Sequence, residues 1–133
     1  MEQIIFQKFI TRKDIKSHPK RLYIFGDNDQ RVGTGGQAKE MRGEPNSIGI
    51  RVKKAPKTGK HVYYYDSEIG SNLVKIKEDF ETIFMHLDND GIVVIPKDGI
   101  GTGLAKLKDN APLTLNFIDS LIKELVERYG EIK

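Results

Sequence analysis

Cysteine is absent from this 133-residue chain, which rules out a disulfide framework, a thiolate zinc knot and a cysteine nucleophile. Long apolar runs are missing as well, and none approaches the ~18 residues needed to span a bilayer. Met1-Glu2-Gln3-Ile4 has no basic stretch leading into an apolar one, so no secretory leader is expected and the cytoplasm is the expected location. Excess charge is small: 22 Lys and Arg against 19 Asp and Glu leave a formal +3, too little by itself to argue for nucleic acid. His18, His61 and His86 are scattered without metal-ligand spacing, so neither a metal nor another cofactor is expected. No repeat, low-complexity segment or linker divides the sequence. Residues 1–133 are therefore expected to form one domain.

What is present reads as a folded α/β chain, 38% hydrophobic and 31% charged. Gln3 to Ile10 alternates weakly and suggests a first strand, and Arg21 to Phe25, closed by Gly26, a buried one. A short helix is expected over Gly36 to Met41, stopped by Gly43 and Pro45. Ser47 to Val52 and His61 to Tyr65 both look like strands, separated by the turn-rich Ala55-Pro56-Lys57-Thr58-Gly59. Leu73, Ile76, Phe80, Ile83, Phe84 and Leu87 recur at spacings of three and four, which predicts an amphipathic helix over Ser71 to Leu87. Gly91-Ile92-Val93-Val94-Ile95-Pro96 reads as a buried strand. A second long helix is expected from Asn110 or Ala111 to Tyr129, with Pro112 in its first turn and Gly130 at its end.

Two glycine-rich stretches, Gly33-Thr34-Gly35-Gly36 and Gly99-Ile100-Gly101-Thr102-Gly103, follow expected strands and precede expected helices. Glycine lets main-chain N–H groups approach a ligand with no Cβ in the way, and a following helix favours negative charge. In open α/β sheets, ligands gather beyond the carboxyl ends of the strands, where such loops converge. Two loops of this kind can grip a diphosphate from two sides. Asn28, in Gly26-Asp27-Asn28, can bond a sugar hydroxyl or brace its own loop as an Asx-turn. Asp14 can accept from an adenine amino group or cap a helix. Gln37 can bond phosphate or base edges or serve the start of the helix; Arg42 can fork onto a phosphate or pair with Glu40 or Glu44. Arg51, Lys53, Lys54, Lys57 and Lys60 form a basic strip, either a solvated edge or a patch for an anionic partner.

Together these residues resemble the macrodomain family, which binds ADP-ribose and in some branches hydrolyses it from proteins, nucleic acids or small esters. The pair Asp14-Ile15, Asn28 fourteen residues on, the loop with Gly33, Gly35 and Gly36, and the strand Ile92 to Ile95 with Pro96 and Ile100-Gly101-Thr102-Gly103-Leu104 carry the resemblance, over about residues 4–127. It implies a macro-like, three-layer α/β/α domain with a mixed central sheet. It places adenine at Asp14 and Ile15 and the distal ribose at Asn28. Gly33, Gly35 and Gly36 would hold the distal ribose and its phosphate, and Gly101 to Leu104 the diphosphate, with Gln37, Gly99 and Ile100 as further candidate ligand contacts. Apolar contact would come from Tyr64 or Phe25.

The departures concern catalysis. Ala38 stands ten residues after Asn28, where one hydrolytic branch carries its Asp. Ala105 stands where the terminal ADP-ribose–protein glycohydrolases carry theirs, and Tyr65 to Gly70 holds no lysine to match their nucleophile. The second loop is two residues longer, through Lys97-Asp98-Gly99, and the family's final strand is expected to be missing. The resemblance therefore implies a protein that binds ADP-ribose, a related nucleotide or an ADP-ribosylated macromolecule. One alternative is an ADP-ribosyl hydrolase in which Asp27, Asp98 or Glu44 orients water beside Asn28. The other is an RNA- or protein-binding adaptor that uses the basic strip 51–60 and keeps the glycine loops as structure.

Overall fold

The computed structural model describes residues 2–133. Four strands, β1 (Ile4–Gln7), β2 (Arg21–Asn28), β3 (Ser47–Lys53) and β4 (Ile92–Pro96), form one sheet in the order β1-β4-β2-β3. Every ladder is parallel, where the resemblance implied a mixed sheet. The reason is the connections: α1 (Arg12–Ser17), α2 (Ala38–Met41) and α3 (Ile69–Asp88) each return the chain to the end of the sheet where its previous strand began. Among the described residues, antiparallel contact is confined to an isolated bridge between Lys53 and Tyr63. The strand expected over His61 to Tyr65 is instead a 3-10 turn, Lys60–Val62, whose aromatic neighbour Tyr64 buries its side chain in the core. At the other edge Glu131 makes a parallel bridge to Ile4, just after the last helix.

Strand alternation sorts the core into two. Leu22, Ile24, Val93 and Ile95 pack with Ile76, Phe80, Ile83 and Leu87 of α3 and with Ile118 and Leu125 of α5 (Pro112–Tyr129). Tyr23, Phe25 and Val94 face the other way, onto Ile15 of α1 and Ala38 and Met41 of α2. Helices thus cover both faces, as a parallel sheet requires. No helix among the described residues is long and apolar enough to cross a membrane.

The helix ends have local causes. Thr11 and Asp14 form a capping box on α1: the Asp14 backbone N–H donates to Thr11 Oγ1 at 3.2 Å, and the Thr11 N–H to Asp14 Oδ2 at 2.9 Å. The first turn of α5 has Pro112 but no cap of its own. Asp66, 47 residues upstream, supplies it by accepting from the backbone N–H groups of Leu113 and Thr114 at 2.9 and 3.1 Å. A one-turn helix, α4 (Leu107–Asn110 in chain order before α5), buries Leu107 completely.

Candidate functional site

Because β4 lies beside β2, the loops leaving their carboxyl ends meet, and a cavity of about 270 Å³ opens between them. Its floor is the end of β2 (Gly26, Asp27, Asn28) and of β3 (Val52, Lys53). Gly33, Gly35, Gly36 and Gln37 form one wall; Gly99, Gly101, Thr102, Gly103 and Leu104 form the other.

The first wall is braced by charge. Asp27 is 5% exposed and accepts from its neighbour's N–H, at Asn28, at 2.8 Å. Arg42 grips it from above, with Nη2 2.5 Å from Oδ1 and Nη1 3.3 Å from Oδ2, while Arg31 Nη1 lies 3.3 Å from Oδ2. Arg42 also donates from Nε to the Gly33 carbonyl at 2.6 Å, and its guanidinium lies 5.6 Å from the centre of the Phe25 ring. Arg31 continues the chain of charges to buried Asp79 on α3 at 2.7 Å, and Asp79 in turn accepts from the backbone and guanidinium of Arg51. Asn28 completes the bracing as an Asx-turn, with Oδ1 accepting from the Gln30 N–H at 3.0 Å and Nδ2 donating to the Val32 carbonyl at 2.8 Å. Gly33, at φ 98°, lies so close to Pro56 that an added Cβ would stand 2.6 Å from the Pro56 Cβ.

The second wall rests on the core instead. Gly101 has φ 81°, and a Cβ there would collide with the Leu107 side chain. Leu107 closes the turn by donating its N–H to the Gly101 carbonyl at 3.0 Å. Thr102 Oγ1 donates to the Asp98 carbonyl at 2.9 Å. Among the described residues, the backbone N–H groups of Gly101, Thr102, Gly103, Leu104 and Ala105 donate to no group of the chain, and neither do those of Gly35, Gly36 and Gln37 across the cavity. One side chain joins the walls. Gln37 accepts from the Gly26 N–H through Oε1 at 2.9 Å and donates through Nε2 to the Gly99 carbonyl at 3.0 Å.

Residues 5–121 match the model of a family of unknown function, DUF7831. The chain belongs to that family. No curated protein and no solved structure matches it. The span shared with DUF7831 runs from β1 into α5, so it includes both glycine loops and the whole floor of the cavity.

In this DUF7831 chain the expected site residues divide into those that line the cavity and those that do not. Asp27, Asn28, Gly33, Gly35, Gly36, Gln37, Asp98, Gly99, Gly101, Thr102, Gly103 and Leu104 all line the cavity. Asp14, Ile15 and Ile100 do not: Asp14 caps α1 and accepts from Gln7 Nε2 at 2.9 Å, and Ile15 and Ile100 are packed into the two cores. Tyr64 and Phe25 are core residues as well. Arg42 pairs with Asp27 rather than with Glu40 or Glu44, because Glu44 is taken by Arg12 at 2.5 Å. The Gln37 side chain makes no capping bond at the helix start; its amide spans the two loops. The basic strip is dispersed: Arg51 binds Glu78 and Asp79, Lys54 binds Glu68, and Lys53 turns into the cavity floor. Val32, Val52, Pro56 and Ala105 add apolar lining that the sequence reading did not assign. Ala38 and Ala105, at the positions that carry acids in the hydrolytic macrodomain branches, both face the cavity.

Electrostatics in the DUF7831 site follow from these partners. The Thr11 backbone N–H holds the Asp14 carboxyl below its usual range, against a smaller opposing effect of burial. Burial pushes the Tyr64 phenol far up, and its hydrogen bond to Asp29 pushes it further, so this hydroxyl stays protonated and donating. Burial works against the Arg51 cation, but hydrogen bonds to Asp79 and Glu78 outweigh it and raise its pKa. Asp27 is tied to two guanidinium groups, which leaves Asp98 as the lining carboxylate without an ion pair among the described residues. The chemistry on offer is a set of N–H donors without partners among the described residues, a lysine ammonium and an apolar rim.

Proposed function

We propose that this cleft binds a nucleotide of the ADP-ribose type, with its diphosphate held between the two glycine loops. One observation carries the reading: backbone N–H groups without partners, from Gly35 to Gln37 on one wall and Gly101 to Ala105 on the other, belong to residues that line a single cavity. Such convergent amides stabilise phosphate oxygens without bringing side chains close. Val32, Pro56 and Leu104 supply apolar surface for the rest of the ligand. The likeness to macrodomains supports the same choice through Asn28 and both glycine loops. Helices on both faces of the sheet fit the three-layer arrangement it implies, and the all-parallel sheet departs from it. On this reading the protein recognises or sequesters its nucleotide: the Asp27 carboxylate is engaged by Arg31 and Arg42, Ala38 and Ala105 offer no acid, and Asp98, the lining carboxylate without an ion pair among the described residues, is exposed.

Calorimetric titration with ADP-ribose tests this in the unmodified chain and in Gly103→Asp. Gly103 has open space around its Cβ position and no positive φ, so the variant keeps the fold while placing a carboxylate among the amide donors. We expect its affinity to fall by roughly ten-fold or more, as like charge meets phosphate in a confined site. Equal heats in both proteins, or none in the unmodified chain, would sink the proposal.

A further inference from the structure

The amide donors of the two loops carry no net charge, and the cavity contains one group that does so without a carboxylate partner. Lys53 is 8% exposed, lines the floor, and donates from Nζ to the Lys57 carbonyl at 2.8 Å. Among the described residues no carboxylate pairs with it. An ammonium has three donors, so a single carbonyl leaves its hydrogen-bonding incomplete, and burying such a cation without a counter-ion is unfavourable. Lys53 sits at a local irregularity. The register of β3 against β2 steps from Asp27 opposite Arg51 to Asn28 opposite Lys53, skipping Val52. Arg51, two residues earlier on the strand, reaches Asp79 on α3, whereas Lys53, past the irregularity, lines the cavity. The remaining lining charges differ in kind. Arg42 and Asp27 neutralise each other, and Asp98 sits exposed at the rim.

We propose that Lys53 is the counter-ion for the ligand's phosphate pair and that it selects diphosphates over monophosphates and uncharged nucleosides. This rests on the cleft being the nucleotide site described above. One phosphate takes the loop amides; the second, reaching the floor, meets the ammonium. A monophosphate satisfies one of the two positions and gains little from the other. Asp98 disfavours anionic oxygens at the rim, so the diphosphate is seated inward and the ribose hydroxyls face that carboxylate.

The experiment compares inorganic pyrophosphate, ADP-ribose, ADP, AMP and adenosine on the unmodified chain, Lys53→Met and Lys53→Arg at low salt. Lys53→Met is expected to lose roughly ten-fold or more in affinity for the three diphosphate-bearing ligands, keeping AMP and adenosine within about two-fold, and Lys53→Arg to recover most of the loss. If Lys53→Met binds diphosphates like the unmodified chain while Gly103→Asp does not, the role of Lys53 is overturned and the nucleotide reading survives. If pyrophosphate binds through Lys53 but ADP-ribose binds no better than pyrophosphate, the nucleotide reading fails and Lys53 keeps its role. No pyrophosphate binding by the unmodified chain overturns the role outright. Should Lys53→Met fail to fold, reductive methylation of the unmodified chain decides: pyrophosphate should protect Lys53 ahead of exposed Lys57 and Lys60, and equal labelling with and without it overturns the assignment.

Discussion

Loop 28–37 is held by side chains reaching across it from Arg31, Arg42 and Asn28, whereas loop 97–105 is held from beneath by Leu107 and by its own turn hydrogen bonds. The first is a lattice of directional bonds around a buried carboxylate; the second is a strip of glycine lying on hydrocarbon. The difference shows two ways to hold a loop in place while leaving its amides free. Bonds made by side chains spare the backbone donors of Gly35 and Gly36, and apolar packing leaves those of Gly101 to Ala105 without partners. Both routes end in the same chemistry.

The largest effect should come from breaking the charged wall. Arg42→Ala leaves buried Asp27 with the Asn28 N–H and a 3.3 Å contact to Arg31, and the loss is expected to be about 3 kcal/mol, the usual scale for breaking a buried ion pair. Urea unfolding measures it. A parallel Asp27→Ala, Arg42→Ala double variant should be less destabilised than the sum of the single ones, and simple additivity would refute the pairing. Leu107→Ala is the matching break in the other wall. It empties a fully buried site under Gly101 and should cost about 2–4 kcal/mol, with Gly101 to Ala105 losing order first in amide exchange.

Sharpening the comparison takes a smaller perturbation. Gln37→Ala removes the link between the walls, two hydrogen bonds of about 1 kcal/mol each at most, and should speed exchange of the Gly26 amide specifically. Unchanged Gly26 exchange would show that the walls are not joined through this side chain. The smallest effect lies outside the cleft. Asp14 has a folded pKa below its ordinary 3.8, so its capping of α1 stabilises fully above that value and is lost as pH falls through the folded value. Helix α1 should therefore loosen on acidification below about pH 3.8, as amide shifts of residues 12–17 would report, while Asp14→Asn should remove the pH dependence.

How far the sequence anticipates this structure depends on the range of the determining contacts. Helices α3 and α5 and strand β4 are legible because their apolar spacing and the flanking Pro112 and Gly130 lie within the element. Helix α1 is harder: it is six residues long, one of them buried, and the Thr11–Asp14 box is its main mark. Tyr63-Tyr64-Tyr65 imitates a strand because aromatic bulk fits either a sheet or a loop packed on the core. The glycine loops are visible as composition. Their bracing is not, because Arg42 meets Asp27 fifteen residues away, Gln37 meets Gly99 after sixty-two, and Arg31 meets Asp79 after forty-eight. Lys53 escapes for a different reason. It lies at a break in the β2–β3 register, which alternation along one strand does not reveal.

The strand order has a kinetic consequence. Arg21 pairs with Ile92, so the two strands that carry the cleft's walls join only after the chain between them has closed a loop of some seventy residues. Contacts of that separation form late and slow the search for the native state. The cleft lies between the loops that follow β2 and β4, so on the nucleotide proposal a ligand has nothing to hold until that ladder is made. Ligand should accordingly leave the folding rate nearly unchanged and appear almost wholly as slower unfolding, lengthening the life of the native state without guiding the chain toward it.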